Sequence, residues 1–212
     1  MAEKRQSRRE AVSGQKRELI LDAARQVFAE EGLEGASLRA IAVRAGYTPA
    51  ALYFHFESKE EIYAEVLKAS LRSLGSAVDQ AVAQARSAQQ KLKAAAMSFF
   101  RFYAENPRDL DLGFYLFRGG MKPAGLGRER DERLNAALEA ALHPIAEAAI
   151  GLGASPQNAN LLMVDCFAHA TGLLLLLLHT GRIRMFGASA PALMEDYVSD
   201  RIARLAIAPS AS

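Results

Sequence analysis

Apolar residues along this chain recur at helical rather than alternating spacing in almost every window. Ile20, Ala23, Ala24, Val27 and Phe28 follow an i, i+3, i+4, i+7, i+8 course that stops before Gly32. Gly32 suits the left-handed position beyond a helix end, and Gly35 keeps the connection short. Ser37 can then cap a brief helix whose inner face is Leu38, Ile41, Ala42 and Ala45, ended by Gly46. Thr48 followed by Pro49 predicts another start, a capping hydroxyl and then proline where no N–H is needed. That third helix is expected to run to about Phe56, with Leu52 and Phe56 turned inward. Ser58-Lys59-Glu60-Glu61 fits a capping box that opens a long helix burying Ile62, Val66, Leu67, Leu71, Leu74 and Val78.

Further helices are predicted at roughly 88–105, 108–118, 128–150, 156–180 and 190–207. Asn106-Pro107, the glycines around Pro123, Gly151 with Gly153, and the run from Gly187 to Pro191 separate them. Pro144 falls inside one helix and predicts a kink there. No strand or hairpin signal appears. The expected fold class is all-α, with about nine helices in an N-terminal three-helix part and a larger helical remainder.

Composition narrows the picture. With 212 residues, half of them hydrophobic and 24% charged, the chain is ordinary globular material for one or two domains. A net charge of +2 does not announce a polyanion binder, so any basic surface has to be local. The single cysteine, Cys166, excludes an internal disulfide and favours a reducing cytosol. The polar stretch from Met1 to Lys16 lacks the apolar core of a secretory signal. The apolar run from Leu161 to Leu178 is short for a membrane span and carries Asp165 and His169, so a cytoplasmic protein without a membrane segment is expected. Residues 1–16 hold Lys4, Arg5, Arg8, Arg9 and Lys16, and read as a disordered arm, solvated or settled on DNA phosphates. No phosphate loop, metalloprotease motif, nucleophile elbow or metal-ligand set is present, so neither catalysis, cofactor nor metal is expected.

Helices near 38–45 and 49–56, joined by the tight Ala45-Gly46-Tyr47 turn, have the form of a helix-turn-helix. Spacing alone fits an ordinary helical corner equally well. The residue detail goes further: Ile20-x-x-Ala23-Ala24-x-x-Val27-Phe28-x-x-x-Gly32, then Ser37-x-x-x-Ile41-Ala42-x-x-Ala45-Gly46, then Leu52-Tyr53-x-His55-Phe56-x-Ser58-Lys59. Over residues 17–63 this run strongly resembles the tetracycline-repressor-like (TetR) family. The resemblance implies a dimeric, usually repressive transcription factor that binds double-stranded DNA and is released by a small effector. It divides the chain into an arm (1–16), a DNA-binding domain (17–62) and an effector-binding and dimerisation domain (63–212). The other reading is an all-helical carrier or enzyme with an incidental corner.

Carried over by position, the resemblance places Tyr53, His55 and Lys59 at DNA phosphates, where a phenol, an imidazole and an ammonium can all donate. Core packing is the other role open to Tyr53 and His55. Arg39 can reach guanine in the major groove or, equally, a phosphate. Ser37, Tyr47, Thr48, Pro49, Ala50 and Ala51 complete the expected DNA-facing surface. The side chains of Pro49, Ala50 and Ala51 cannot hydrogen-bond a base. Sequence reading must then lean on Tyr47, Thr48 or Arg39, on thymine methyl contacts, or on DNA shape.

Seven of the sixteen aromatic residues fall between Phe99 and Phe117, which fits either a helical core or the wall of a ligand pocket. With the resemblance, Phe99, Phe102, Tyr103, Phe114 and Phe117, together with Met163 and Phe167, are expected to line a pocket for a mainly hydrophobic effector. The helix at 156–180 is apolar nearly all round and must be buried on more than one side. With the amphipathic helix at 190–207 it suits a two-fold, four-helix homodimer interface. Asp165, Cys166 and His169 make an incomplete metal set, and read as a hydrogen-bonded pair or as effector anchors.

Overall fold

The computed structural model describes residues 2–113 and 126–207, with side chains for 13–113 and 126–205. Among the described residues there are ten helices and no strand. In chain order they are α1 (Ala2–Gly35), α2 (Leu38–Arg44), α3 (Pro49–Tyr53), α4 (Lys59–Ala83), α5 (Ala88–Glu105) and α6 (Pro107–Gly113). α7 (Arg128–Ile150), α8 (Pro156–Leu178), α9 (Arg182–Met185) and α10 (Ala190–Ile207) follow.

Three expectations need correction. The arm expected to be disordered is helical from Ala2 onward, continuous with α1. Its Ala, Glu, Lys, Arg and Gln residues favour helix, and extending an existing helix avoids the cost of nucleation. α3 stops at Tyr53 rather than near Phe56; Phe54 caps it, and His55 and Phe56 fold back by donating to the Leu52 carbonyl. A short helix absent from the prediction, α9, forms where left-handed Gly181 turns the chain and Ile183 is buried. The chain separates into two compact units, Met1–Ser70 with Arg108–Leu134, and Leu71–Pro107 with Asn135–Ser212. α6 thus belongs with the N-terminal unit, where the Tyr63 hydroxyl donates to the Leu112 carbonyl at 2.7 Å.

In the first unit, the α1 stripe of Ile20, Ala24, Val27 and Phe28 is buried, as are Ile41, Ala42, Leu52 and Phe56. Phe28 meets Tyr63 edge to face at 4.8 Å. The predicted punctuation is in place. Gly32 adopts φ 69° inside α1, and Gly46, at φ 74°, separates α2 from α3. Ser37 accepts from the Ala40 amide and Thr48 from the Ala51 amide, as N-caps do. At the start of α4, Ser58 accepts from the Glu61 amide, while the Glu61 carboxylate reaches back to the Glu57 amide at 2.7 Å.

In the second unit, α5 buries Leu92, Ala95, Phe99 and Phe100 and packs against α8 and α10. α7 runs continuously through Pro144. α8 is long and apolar enough to cross a membrane by length and composition, yet it divides into two faces. Ala159, Leu162, Cys166, Ala170, Leu173 and Leu174 are buried, whereas Leu161, Val164, Ala168, Gly172, Leu175 and Leu176 are exposed.

A Cβ built at Gly46 would meet nothing within 4 Å, so only its backbone angle resists substitution. Gly46→Ala is expected to destabilise the protein by about 1–2 kcal/mol, read by urea unfolding. A neutral result would mean that the α2–α3 turn relaxes out of the left-handed region.

Candidate nucleic-acid interface

α2 and α3 are seven and five residues long, too short to persist without packing. They hold because Ile41, Ala42, Leu52 and Phe56 sink into the unit's core while Ser37 and Thr48 satisfy their first amides. What remains outside is the candidate DNA surface. Ser37, Arg39, Thr48, Pro49, Ala50 and Tyr53 are exposed, and Tyr47, Ala51 and His55 are half-buried. Tyr53 at 59% exposure is not a core residue. The Ser37 and Thr48 oxygens act as capping acceptors, which leaves each hydroxyl proton able to reach a phosphate. Arg39 is exposed and makes no ion pair among the described residues.

Lys59 departs from expectation. Its ammonium donates to the carbonyls of Leu33 at 2.9 Å, Ala36 at 3.3 Å and Glu34 at 3.4 Å. The break at Gly32 leaves carbonyls at the end of α1 without helical donors, and a lysine nearby supplies three. Lys59 is therefore a tether between α4 and α1, with its ammonium directed at these three carbonyls.

Two arginines brace the same unit. The Arg17 guanidinium lies 4.4 Å over the Phe56 ring, donates to the His55 carbonyl at 3.3 Å and stands 3.4 Å from Glu65. Arg44 grips Glu30 through two bonds, 2.9 and 2.6 Å, tying α2 to α1. Those bonds hold the Glu30 carboxyl below its ordinary range. Arg44 is thus engaged within the fold.

Sequence reasoning missed Val43 and Phe54, which are 68% and 91% exposed on α2 and at the end of α3. Their signal was available, since both fall off the buried spacing set by Ile41, Ala42, Leu52 and Phe56. With Pro49 and Ala50 they make the reading surface largely apolar around Arg39 and Tyr53.

The expected effector residues are only partly brought together. Phe99 meets Tyr103 at 5.0 Å and Phe167 at 5.5 Å, and Phe102 meets Tyr103 at 5.1 Å, all edge to face. Met163 lies one turn before Phe167 on α8 and is half-buried. Phe114 and Phe117 lie outside the described residues. The paired rings are close-packed, and two clefts among the described residues lie away from them. One, of about 400 Å³, is bordered by Glu61, Lys68, Arg128 and Arg133 on α4 and α7.

Asp165 pairs with Arg201 at 3.1 Å rather than with His169, whose ring stacks on Tyr197 at 3.7 Å. Burial keeps His169 below its ordinary range, and burial pushes the Cys166 thiol up to about 12. Among the described residues no three acidic, His or Cys groups are placed to hold a metal.

Residues 20–66 match the family model TetR_N, bacterial regulatory proteins of the tetR family. That match runs from within α1 into α4, so this segment is similar to the tetR-family domain. Over 100 residues it is 37% identical to the HTH-type transcriptional activator FasR of Mycolicibacterium smegmatis, covering 47% of this chain and 46% of that protein. Over 82 residues it is 39% identical to the HTH-type transcriptional repressor KstR2 of Rhodococcus jostii, covering 39% and 40%. The chain thus matches less than half the length of these curated relatives. The crystal structure of the transcriptional regulator FadR from Bacillus subtilis with stearoyl-CoA superposes with a TM-score of 0.64. That match, 18% identical, covers 89% of this chain and 97% of FadR, so the all-helical fold is shared well beyond the TetR-type domain.

Lys59→Met is expected to cost about 1–3 kcal/mol of stability by orphaning part-buried carbonyls, measured by urea unfolding. Weaker DNA binding with unchanged stability would restore Lys59 to the phosphate contacts.

Proposed function

We propose that this protein is a homodimeric, ligand-responsive transcriptional regulator that binds a palindromic operator and is released from it by a small, mainly hydrophobic effector. The observation that carries the reading is the capped α2–α3 pair, which turns Leu52 and Phe56 inward while leaving Arg39, Thr48 and Tyr53 exposed. In this arrangement α2 braces against the backbone while the first turn of α3 enters the major groove. Arg39 supplies a bidentate donor for guanine or phosphate, and Thr48, Tyr53 and His55 fix the register on phosphates. Tyr47, Pro49, Ala50 and Ala51 allow close approach and contact with thymine methyls.

Repression is supported by the name of KstR2, whereas FasR is named an activator. The FadR complex with stearoyl-CoA lends support to an apolar effector bounded by Phe99, Phe102, Tyr103, Met163 and Phe167. As a regulator the protein works in the cytoplasm, without catalysis.

The dimer is assigned to α8 and α10. The exposed stripe of α8 is apolar at both ends and small in the middle, at Ala168 and Gly172, which suits a close crossing by its two-fold mate. A Cβ at Gly172 would meet nothing within 4 Å in the single chain. Gly172→Leu should therefore leave the helical content unchanged and yield monomers in sedimentation velocity. An intact dimer would move the interface elsewhere.

Selection from genomic DNA should return a palindrome whose half-sites lie about 34–36 Å apart, or a multiple of that. Arg39→Ala should relax base preference by about 1–3 kcal/mol at one position. Tyr53→Phe should weaken all sites alike and shallow the salt dependence by about one unit of slope. No binding to any duplex would return the domain to a structural corner and the protein to the carrier reading.

A further inference from the structure

The aromatic cluster is poor in charge, but the second unit also holds a cleft of opposite character. About 470 Å³ in volume, it lies between the last turn of α4 with its following loop and the outer face of α5. It is an open groove rather than an enclosed cavity, so a ligand would lie along its wall with one side in water. Ala85, Ala94 and the buried Met97 give it an apolar side. Arg86, Lys93 and Arg101 border it, and the Glu195 carboxylate of α10 sits on Lys93 and within electrostatic reach of Arg101. Lys93 and Arg101 share a face of α5, two turns and about 12 Å apart.

The donors are partly pre-set. Lys93 is held by Glu195 of α10 at 2.6 Å, which fixes its stem along the cleft. The Gln90 Oε1 accepts from the Arg86 and Ser87 amides in the α5 capping box, so its amide NH2 is the group left to donate. Arg86 and Arg101 make no ion pair among the described residues, and each guanidinium can take an anion through two parallel bonds. Cations and amide donors around a small apolar floor select one ligand chemistry.

We infer that this cleft binds a small organic anion, an acidic group on a flat apolar body, independently of the aromatic cluster and of DNA. Phenyl phosphate is the probe, titrated calorimetrically into the full-length protein without DNA, beside inorganic phosphate and benzyl alcohol. The expected result is one site per chain, with binding at least tenfold weaker for each comparator and weakening as salt rises. The double variant R86A/R101A should lose at least tenfold in affinity while keeping its circular dichroism spectrum and its affinity for operator DNA. Phe99→Leu should bind the probe as the parent does. Equal binding by benzyl alcohol, equal binding by the double variant, or no heat at millimolar probe would each overturn the inference. Equal binding of inorganic phosphate would remove the apolar body from it. The titration reads the cleft without DNA, so its failure leaves the regulator reading intact, and absence of an operator leaves the cleft intact.

Discussion

The candidate DNA surface rests on two helices that cannot stand by themselves. A five-residue α3 closes hardly more than one turn, and its geometry is imposed by burial of Leu52 and Phe56. α1 supplies the wall for that burial through Ile20, Ala24, Val27 and Phe28. The caps at Ser37 and Thr48 then decide where each short helix begins. The outward direction of Arg39 and Tyr53 is a consequence of what their neighbours bury.

Polar contacts sharpen this arrangement at the places where packing leaves freedom. Arg17 closes the exit of α3 through Phe56, the His55 carbonyl and Glu65. Arg44 fixes α2 on α1, and Lys59 gathers carbonyls left at the end of α1. Exposed ion pairs contribute little to stability individually. Their value here is directional, since each ties a short or terminal element to a long helix. Three cations of this unit are engaged within it in this way.

The second unit solves a different problem. α8 is apolar around nearly its whole circumference, but one chain covers only the stripe through Leu162, Cys166 and Leu173. The opposite stripe, with Leu161 62% and Val164 56% exposed, is apolar area that water penalises. Beside it, Asp165–Arg201 and His169 on Tyr197 set polar chemistry along the α8–α10 seam. Single apolar residues on a surface need no cause, whereas a continuous stripe on one helix does.

The sequence by itself determined the all-helical class, the punctuation at Gly32, Gly46, Ser37 and Thr48, and the inward faces of α1 to α4. Those features depend on near neighbours, through backbone angles, caps and a 3.6-residue period, so they can be read along the chain. Only the tertiary structure decided what the long polar side chains do. Lys59 sits at a position that points to phosphate, yet its donors meet carbonyls more than twenty residues away. Arg17 and Arg44 likewise find partners from distant turns, and Arg86, Lys93 and Arg101 become one cleft only when α4 turns back along α5. The extent of α1 through residues 2–16 is a similar case, because composition marks a charged arm but cannot say that a helix already formed will run on through it. Flexible charged side chains reach whatever the fold brings near them, and periodicity carries no information about that.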